Sequence, residues 1–266
     1  MPRVITAPSK SSCSSLPALK VRAPSVRRTD LPFWTIGQLT SAFGIGYSVH
    51  RTTHADRRSH VPDAAYRLSF TTGGLLRAEA TAIADLMLTM SDTDAVRRKA
   101  VSTNVVQQRT ASSTERVTRE VLQRLTELPK SGVEMLAQGP VEDGRHLMWL
   151  AACVRYQFLR DFGREVLRER PVVTSGDFDT FWNVQSSWVD GLRDTKPTTR
   201  NKLRQNTFRM LREAGYIDAD GRVHPAQPSP AVADVIQTVS PELFTSFPMD
   251  VVQIATLVRN GRVGFS

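Results

Sequence analysis

From Tyr66 onward the apolar residues recur three and four positions apart and almost never alternate. Leu75, Leu76, Ile83, Leu86, Met87 and Met90 form one such stripe, and Val117, Val121, Leu122, Leu125 and Leu128 form a second. A third and longer one runs through Leu147, Trp149, Leu150, Val154, Phe158, Leu159, Phe162, Val166 and Leu167. That period belongs to helices, and stripes of this kind must be buried against one another. The expected fold class is therefore mainly α, beginning with a helical bundle.

Local signals divide the stripes into elements. Ser91 with Asp94, Ser112 with Glu115 and Ser131 with Glu134 have the spacing of helix caps. Pro129 and Gly139-Pro140 read as stops, and the long stripe is expected to break near Asp161–Gly163. Pro171 and residues 172–176 read as a linker. Beyond it, a helix carrying Phe178, Phe181, Trp182, Val184 and Trp188 is expected to end at Gly191. A further helix spans about Pro197 to Ala214, with proline in its first turn and Gly215 as its stop. Tyr216-Ile217 and Arg222-Val223 flank Asp218-Ala219-Asp220-Gly221, a short β-hairpin signal. Short helices are expected near 230–238 and 249–259. The expected organisation is a basic extension over 1–65, a helical domain over 66–171, and a winged-helix-like domain with a short hairpin over 172–266.

Charge separates the extension from the rest. The chain carries a net +9, and residues 1–60 hold nine Lys/Arg against two acids. The remaining residues are close to balanced, so overall basicity does not by itself mark a nucleic-acid binder. The extension is expected to be disordered, or to lie upstream of a true start at Val61. The longest uncharged run, Leu31 to Val49, contains a proline and three glycines and is a poor bilayer span. No apolar segment of the secretory type follows the first basic residues. No membrane association is expected. Two cysteines, Cys13 and Cys153, suit a reducing cytoplasm.

Beyond the extension, where charge is otherwise balanced, a single window stands out. Residues 193–212 carry seven basic side chains against one acid, Asp194. On a helical wheel of about 100° per residue, Leu203, Thr207, Met210, Leu211 and Ala214 share one side. Asn201, Lys202, Gln205, Arg209 and Arg212 fall opposite, and Arg200 and Arg204 flank the seam. Lysine and arginine bind phosphate, while Arg, Asn and Gln can read base edges. A basic helix followed by a glycine stop, a hairpin and Arg222 resembles the recognition helix and wing of a winged helix-turn-helix. This reading requires the guanidinium groups to stay clear of the protein's own carboxylates.

Other chemistry is weakly supported. His50, His54 and His60 lack cysteines nearby and read as solvated, and His146 and His224 read as isolated. Cys153 reads as core. Asp194-Thr195-Lys196, with Asp177 or Asp179, matches half of a nuclease motif, but the context is helical and the carboxylates are not expected to converge on a metal. No cofactor and no catalytic residue is expected.

The order of motifs resembles the BrxA family of BREX (bacteriophage exclusion) defence systems. The residues that carry the resemblance are Gly73-Gly74-Leu75-Leu76, Glu79, Ile83-Ala84-Asp85-Leu86-Met87-Leu88, Asn104-Val105-Val106-Gln107-Gln108-Arg109-Thr110 and Arg116. Thr195-Lys196, Lys202-Leu203 and Leu211–Asp218 continue it. Thr81 departs from the family, which has arginine there. The resemblance implies a helical N-terminal domain, a winged-helix-like C-terminal domain, and double-stranded DNA binding without catalysis. It also implies a role in phage defence beside a methyltransferase and an ATPase.

The expected DNA contacts are Lys196, Arg200, Asn201, Lys202, Arg204, Gln205, Arg209, Arg212 and Arg222, with Arg109, Arg116 and Arg119 as a second set. Two competing expectations are a protein-interaction adaptor that docks through Phe208 and the aromatic group Phe178, Phe181, Trp182 and Trp188, and a transcriptional regulator of the defence locus.

Overall fold

The computed structural model describes residues 66–263, with side chains as far as Arg259. The expectations for residues 1–65 lie outside the described residues. The chain is mainly helical, as its periodicity predicts. Helices α1 (Arg77–Thr89), α2 (Thr93–Ser102), α3 (Ala111–Leu125), α4 (Lys130–Gln138) and α5 (Val141–Arg155) come first. Helix α6 (Gln157–Phe162) continues into a π-helical turn at Gly163–Leu167. Next come α7 (Ser175–Ser186), α8 (Asp190–Arg193), α9 (Pro197–Glu213) and α10 (Pro230–Val239). A 3₁₀ turn at Pro241–Ser246 and helix α11 (Val251–Val263) complete the described chain.

Three helix starts differ from the sequence reading by one or two residues, two of them because another short polar side chain takes the cap. Asp92 caps α2, accepting from the backbone N–H groups of Asp94 and Ala95 at 3.0 and 3.1 Å. Thr110 caps α3 through the N–H of Ser113, and α4 starts after Pro129 with no side-chain cap. The long stripe leaves the helical path at Tyr156, and at Gly163, inside the expected break, the α-helix gives way to the π-helical turn. Tyr156 leaves the helical path because its hydroxyl donates to Glu120 on α3 at 2.6 Å and its ring lies beside Arg124 and Arg155. Gly191 lies inside α8 rather than ending α7.

Among the described residues no strand forms. The hairpin signal yields two isolated antiparallel bridges, Ile217 with Val223 and Val172 with Arg222. Four backbone hydrogen bonds hold three short segments side by side. Asp218 donates to Arg222 (3.1 Å), His224 to Tyr216 (2.9 Å), Val173 to Gly221 (2.8 Å) and Val223 to Pro171 (2.9 Å). The supposed linker is therefore paired with the hairpin's return arm. Pro171 and Pro225 lack the N–H that a longer ladder needs.

One apolar core runs through these elements. Trp149 of α5 is fully buried, donates its indole N–H to the Ser246 carbonyl, and meets the Tyr216 ring edge-on at 5.7 Å. Phe158 of α6 meets Phe178, Phe181 and Trp182 of α7 at 5.2–5.5 Å. Aromatic contacts thus cross the position expected to divide the chain, 171/172. Helix α9 is anchored in this core.

Candidate nucleic-acid interface

Helix α9 sorts its residues as its wheel requires. Leu203, Thr207, Met210 and Leu211 have no exposed surface, and Ala214 is buried at its end. Thr207, the polar residue on that face, donates its hydroxyl to the Leu203 carbonyl one turn back. Lys196, Asn201, Lys202, Gln205, Arg209 and Arg212 are exposed on the other side.

The cations of α9 fall into two groups. Arg200 and Arg204 are half-buried and share the carboxylate of Asp179 on α7, each at 2.8 Å. Arg200 also lies over the Trp182 ring, 5.5 Å from its centroid, and Arg204 donates to the Asn201 side-chain oxygen at 3.2 Å. Arg209 pairs with Glu213 one turn on, at 2.7 Å. These three guanidinium groups therefore do lie against the protein's own carboxylates, contrary to the requirement set by the sequence reading. Lys196, Lys202 and Arg212 make no ion pair among the described residues. Arg222 is likewise exposed, on the return arm of the hairpin. Its backbone N–H donates to Asp218 Oδ1 at 2.9 Å, which fixes the turn and leaves the side chain outward.

The second set lies on another element. Arg109 precedes α3, and Arg116 and Arg119 lie on its exposed face. Asn104 builds the loop before them. Its side-chain amide donates to the Gln108 carbonyl, and its oxygen accepts from the Gln108 N–H and the Thr114 hydroxyl, all at 2.8–3.0 Å. No hydrogen bond or ion pair joins this set to α9 among the described residues.

Two residues of α9 outside the expected DNA contacts tie it to residues 70–75. Asn206 donates to the Phe70 carbonyl at 3.0 Å, and Glu213 accepts from the Leu75 N–H. Gly74 leaves room for that carboxylate, since a Cβ there would lie 2.2 Å from a Glu213 oxygen. The Arg209–Glu213 spacing of four was the legible element of this arrangement. The contact with Leu75, 138 residues away, had no local signal.

The remaining polar candidates have structural employment. Asp177 forms a capping box with Thr174 and pairs with Arg170 at 3.0 Å. Burial alone would raise its carboxyl, but the Thr174 hydroxyl and N–H together with Arg170 bring it below the ordinary carboxylate value. Asp179 is taken by the two arginines. His146 is not isolated: its Nδ1 lies 2.8 Å from the Tyr216 hydroxyl, inside the core. Cys153 is fully buried, and burial pushes its thiol well up, as expected for a core residue. Phe178, Phe181 and Trp182 are buried, and Phe208 packs against the core. Of the five aromatic residues expected to form a docking face, three are thus buried and Phe208 is half-buried, while Trp188 is 56% exposed. Thr81, the family departure, donates to the Leu136 carbonyl and joins α1 to α4. No helix among the described residues is long and apolar enough to cross a membrane.

Comparison with known proteins places this geometry. The chain is 25% identical over 155 residues to the BREX protein BrxA of Escherichia coli O9:H4 (strain HS), covering 56% of this chain and 73% of that one. It is 27% identical over 127 residues to the BREX protein BrxA of Bacillus cereus (strain H3081.97), covering 46% of this chain and 64% of the relative. A crystal structure of an uncharacterized protein from Magnetospirillum magneticum shares the fold, with a TM-score of 0.60 at 23% identity. That similarity covers 71% of this chain and 98% of the other. The BrxA family model matches residues 64–240, a span that includes α1 to α10, and the chain belongs to the BrxA family.

Proposed function

We propose that this protein is a non-enzymatic component of a BREX phage-defence system that grips double-stranded DNA through the outer face of α9 and the turn that follows it. The observation that carries the reading is the division of α9. One side is wholly buried, while Lys196, Lys202 and Arg212 project from the other without a carboxylate partner among the described residues. Lysine and arginine held outward on a rigid helix match a duplex backbone, whose charges repeat about every 1.7 Å of axis. Asn201 and Gln205 on the same face can reach base edges, and Arg222 adds a phosphate contact from the turn.

The order of elements supports a winged-helix description. An extended segment at 171–173, helices α7 to α9, and two short arms at 216–218 and 222–224 follow the sequence of that motif, and the four backbone hydrogen bonds join them in the matching arrangement. Two relatives are named BREX protein BrxA, and the family match supports a place among other BREX components; a methyltransferase and an ATPase are the partners that the resemblance implies. The work is assigned to the cytoplasm, where the DNA is.

Replacing Lys196, Lys202 and Arg212 by alanine tests the interface by gel shift on a duplex of arbitrary sequence. The exposed positions should leave the fold intact by circular dichroism and remove most of the binding. Undiminished binding by a folded variant would move the interface off α9.

A further inference from the structure

The two arginines nearest the seam of α9 are held by one acid from outside the helix. Asp179 projects from the first turns of α7 and accepts from Arg200 Nη2 on one oxygen and Arg204 Nη1 on the other, both at 2.8 Å. Arg200 is steadied further by the Asp179 carbonyl and the Trp182 ring. Arg200 and Arg204 lie one turn apart on α9, so a single carboxylate reaches both. The cluster is not sealed: the side chains of Asp179, Arg200 and Arg204 keep 37%, 28% and 30% of their surface. Two guanidinium groups on one carboxylate leave one net positive charge, already aligned, at the edge of the exposed cationic face.

Resting on the DNA-binding reading above, we infer that Asp179 is an internal competitor of phosphate that sets the affinity of α9 for duplex DNA. In the free protein it holds Arg200 and Arg204 in register. On the duplex, phosphate oxygens take over some of the same N–H donors, an exchange of one charge-assisted bond for another. The carboxylate reduces the net gain from these two arginines and keeps binding weak enough to reverse. Lys202 and Arg212, which have no such partner among the described residues, supply attraction that is not discounted in this way.

Asp179→Asn keeps the shape and a side-chain oxygen and removes the charge. Full-length wild-type protein and the D179N variant are titrated with a fluorescent 20-base-pair duplex by anisotropy between 50 and 200 mM NaCl. The variant should bind about tenfold tighter at the lower salt, and its log–log salt slope should steepen by about one. Asp234→Asn, which removes an exposed carboxylate from α10, should not reproduce the change. Arg200→Gln with Arg204→Gln in the D179N background should cancel the gain. Equal affinity and slope for D179N and wild type, both binding, would overturn the role of Asp179 while leaving the interface standing. Absence of binding by the folded wild type would overturn both. Thermal melting checks the fold of each variant. Should D179N not fold, the R200Q/R204Q pair in the wild-type background decides: a loss of binding of about tenfold supports the role of this cluster, and no loss by a folded variant overturns it.

Discussion

Arg124 carries a charge into a site with no exposed surface. Its Nε donates to Glu120 at 2.8 Å, and its Nη1 donates to the carbonyls of Gly74 and Leu75. Glu120 accepts in turn from the Tyr156 hydroxyl. This group joins α3, the break after α5 and the Gly73-Gly74 loop. That loop also meets Glu213 of α9, so the cationic helix is positioned in part by a segment 138 residues earlier in the chain. Removing one member of a buried pair strands the other, at a typical cost of about 3–5 kcal/mol. Arg124→Met or Glu120→Gln should each lower the free energy of unfolding in urea by about that amount, while replacing both by leucine should cost less than the two changes combined.

His146 gives a residue-level pH dependence. Burial lowers its pKa below the ordinary 6.5, partly offset by Asp143. The unfolded chain therefore binds the proton more readily than the folded one, and stability rises with pH across that interval. The contribution is complete above about pH 6.5 and is lost as the pH falls through the lowered value. Melting temperatures from pH 7.5 to 5 should fall, and should fall less in His146→Asn. Equal pH dependence in the two proteins would exclude His146 as a source.

At the scale of elements, the turn after α9 depends on Gly221. Its φ is +80°, and a Cβ there would lie 2.3 Å from the Val173 carbonyl oxygen. Alanine would have both to adopt an unfavourable backbone conformation and to push aside the segment paired with the hairpin. Gly221→Ala should cost about 2 kcal/mol by thermal denaturation and should weaken duplex binding by displacing Arg222. Much of this region was legible in the sequence. Pro197 and Gly215 bracket α9, and the wheel separated its buried from its exposed residues, because amphipathic period and end signals are local properties. The pairing of Val172 with Arg222 was not legible, because it joins residues 50 positions apart. The Asp179 clamp was missed for the same reason: it depends on how α7 packs, and charge counting treats Arg200 and Arg204 like Lys202. The break at Tyr156 was hidden by an apolar stripe that continues across it, since a buried hydroxyl partner leaves no mark in hydrophobic spacing.

At the scale of the molecule, the described residues share one core that carries a cationic helix at its surface. The family match shows the lineage, and the proposed duplex binding rests on the distribution of charge on α9. Some of that charge is restrained by Asp179 and Glu213, and the rest faces outward. A second cationic set at Arg109, Arg116 and Arg119 lies on α3, and a duplex engaging both sets would neutralise more phosphates than α9 alone. The salt dependence of duplex binding by the full chain tests the central claim most directly. With six or more phosphates neutralised, affinity should drop about a thousandfold between 50 and 200 mM salt. The slope should become shallower by about two when Lys202 and Arg212 are both alanine. A flat salt response, or a slope indifferent to those two substitutions, would contradict the account.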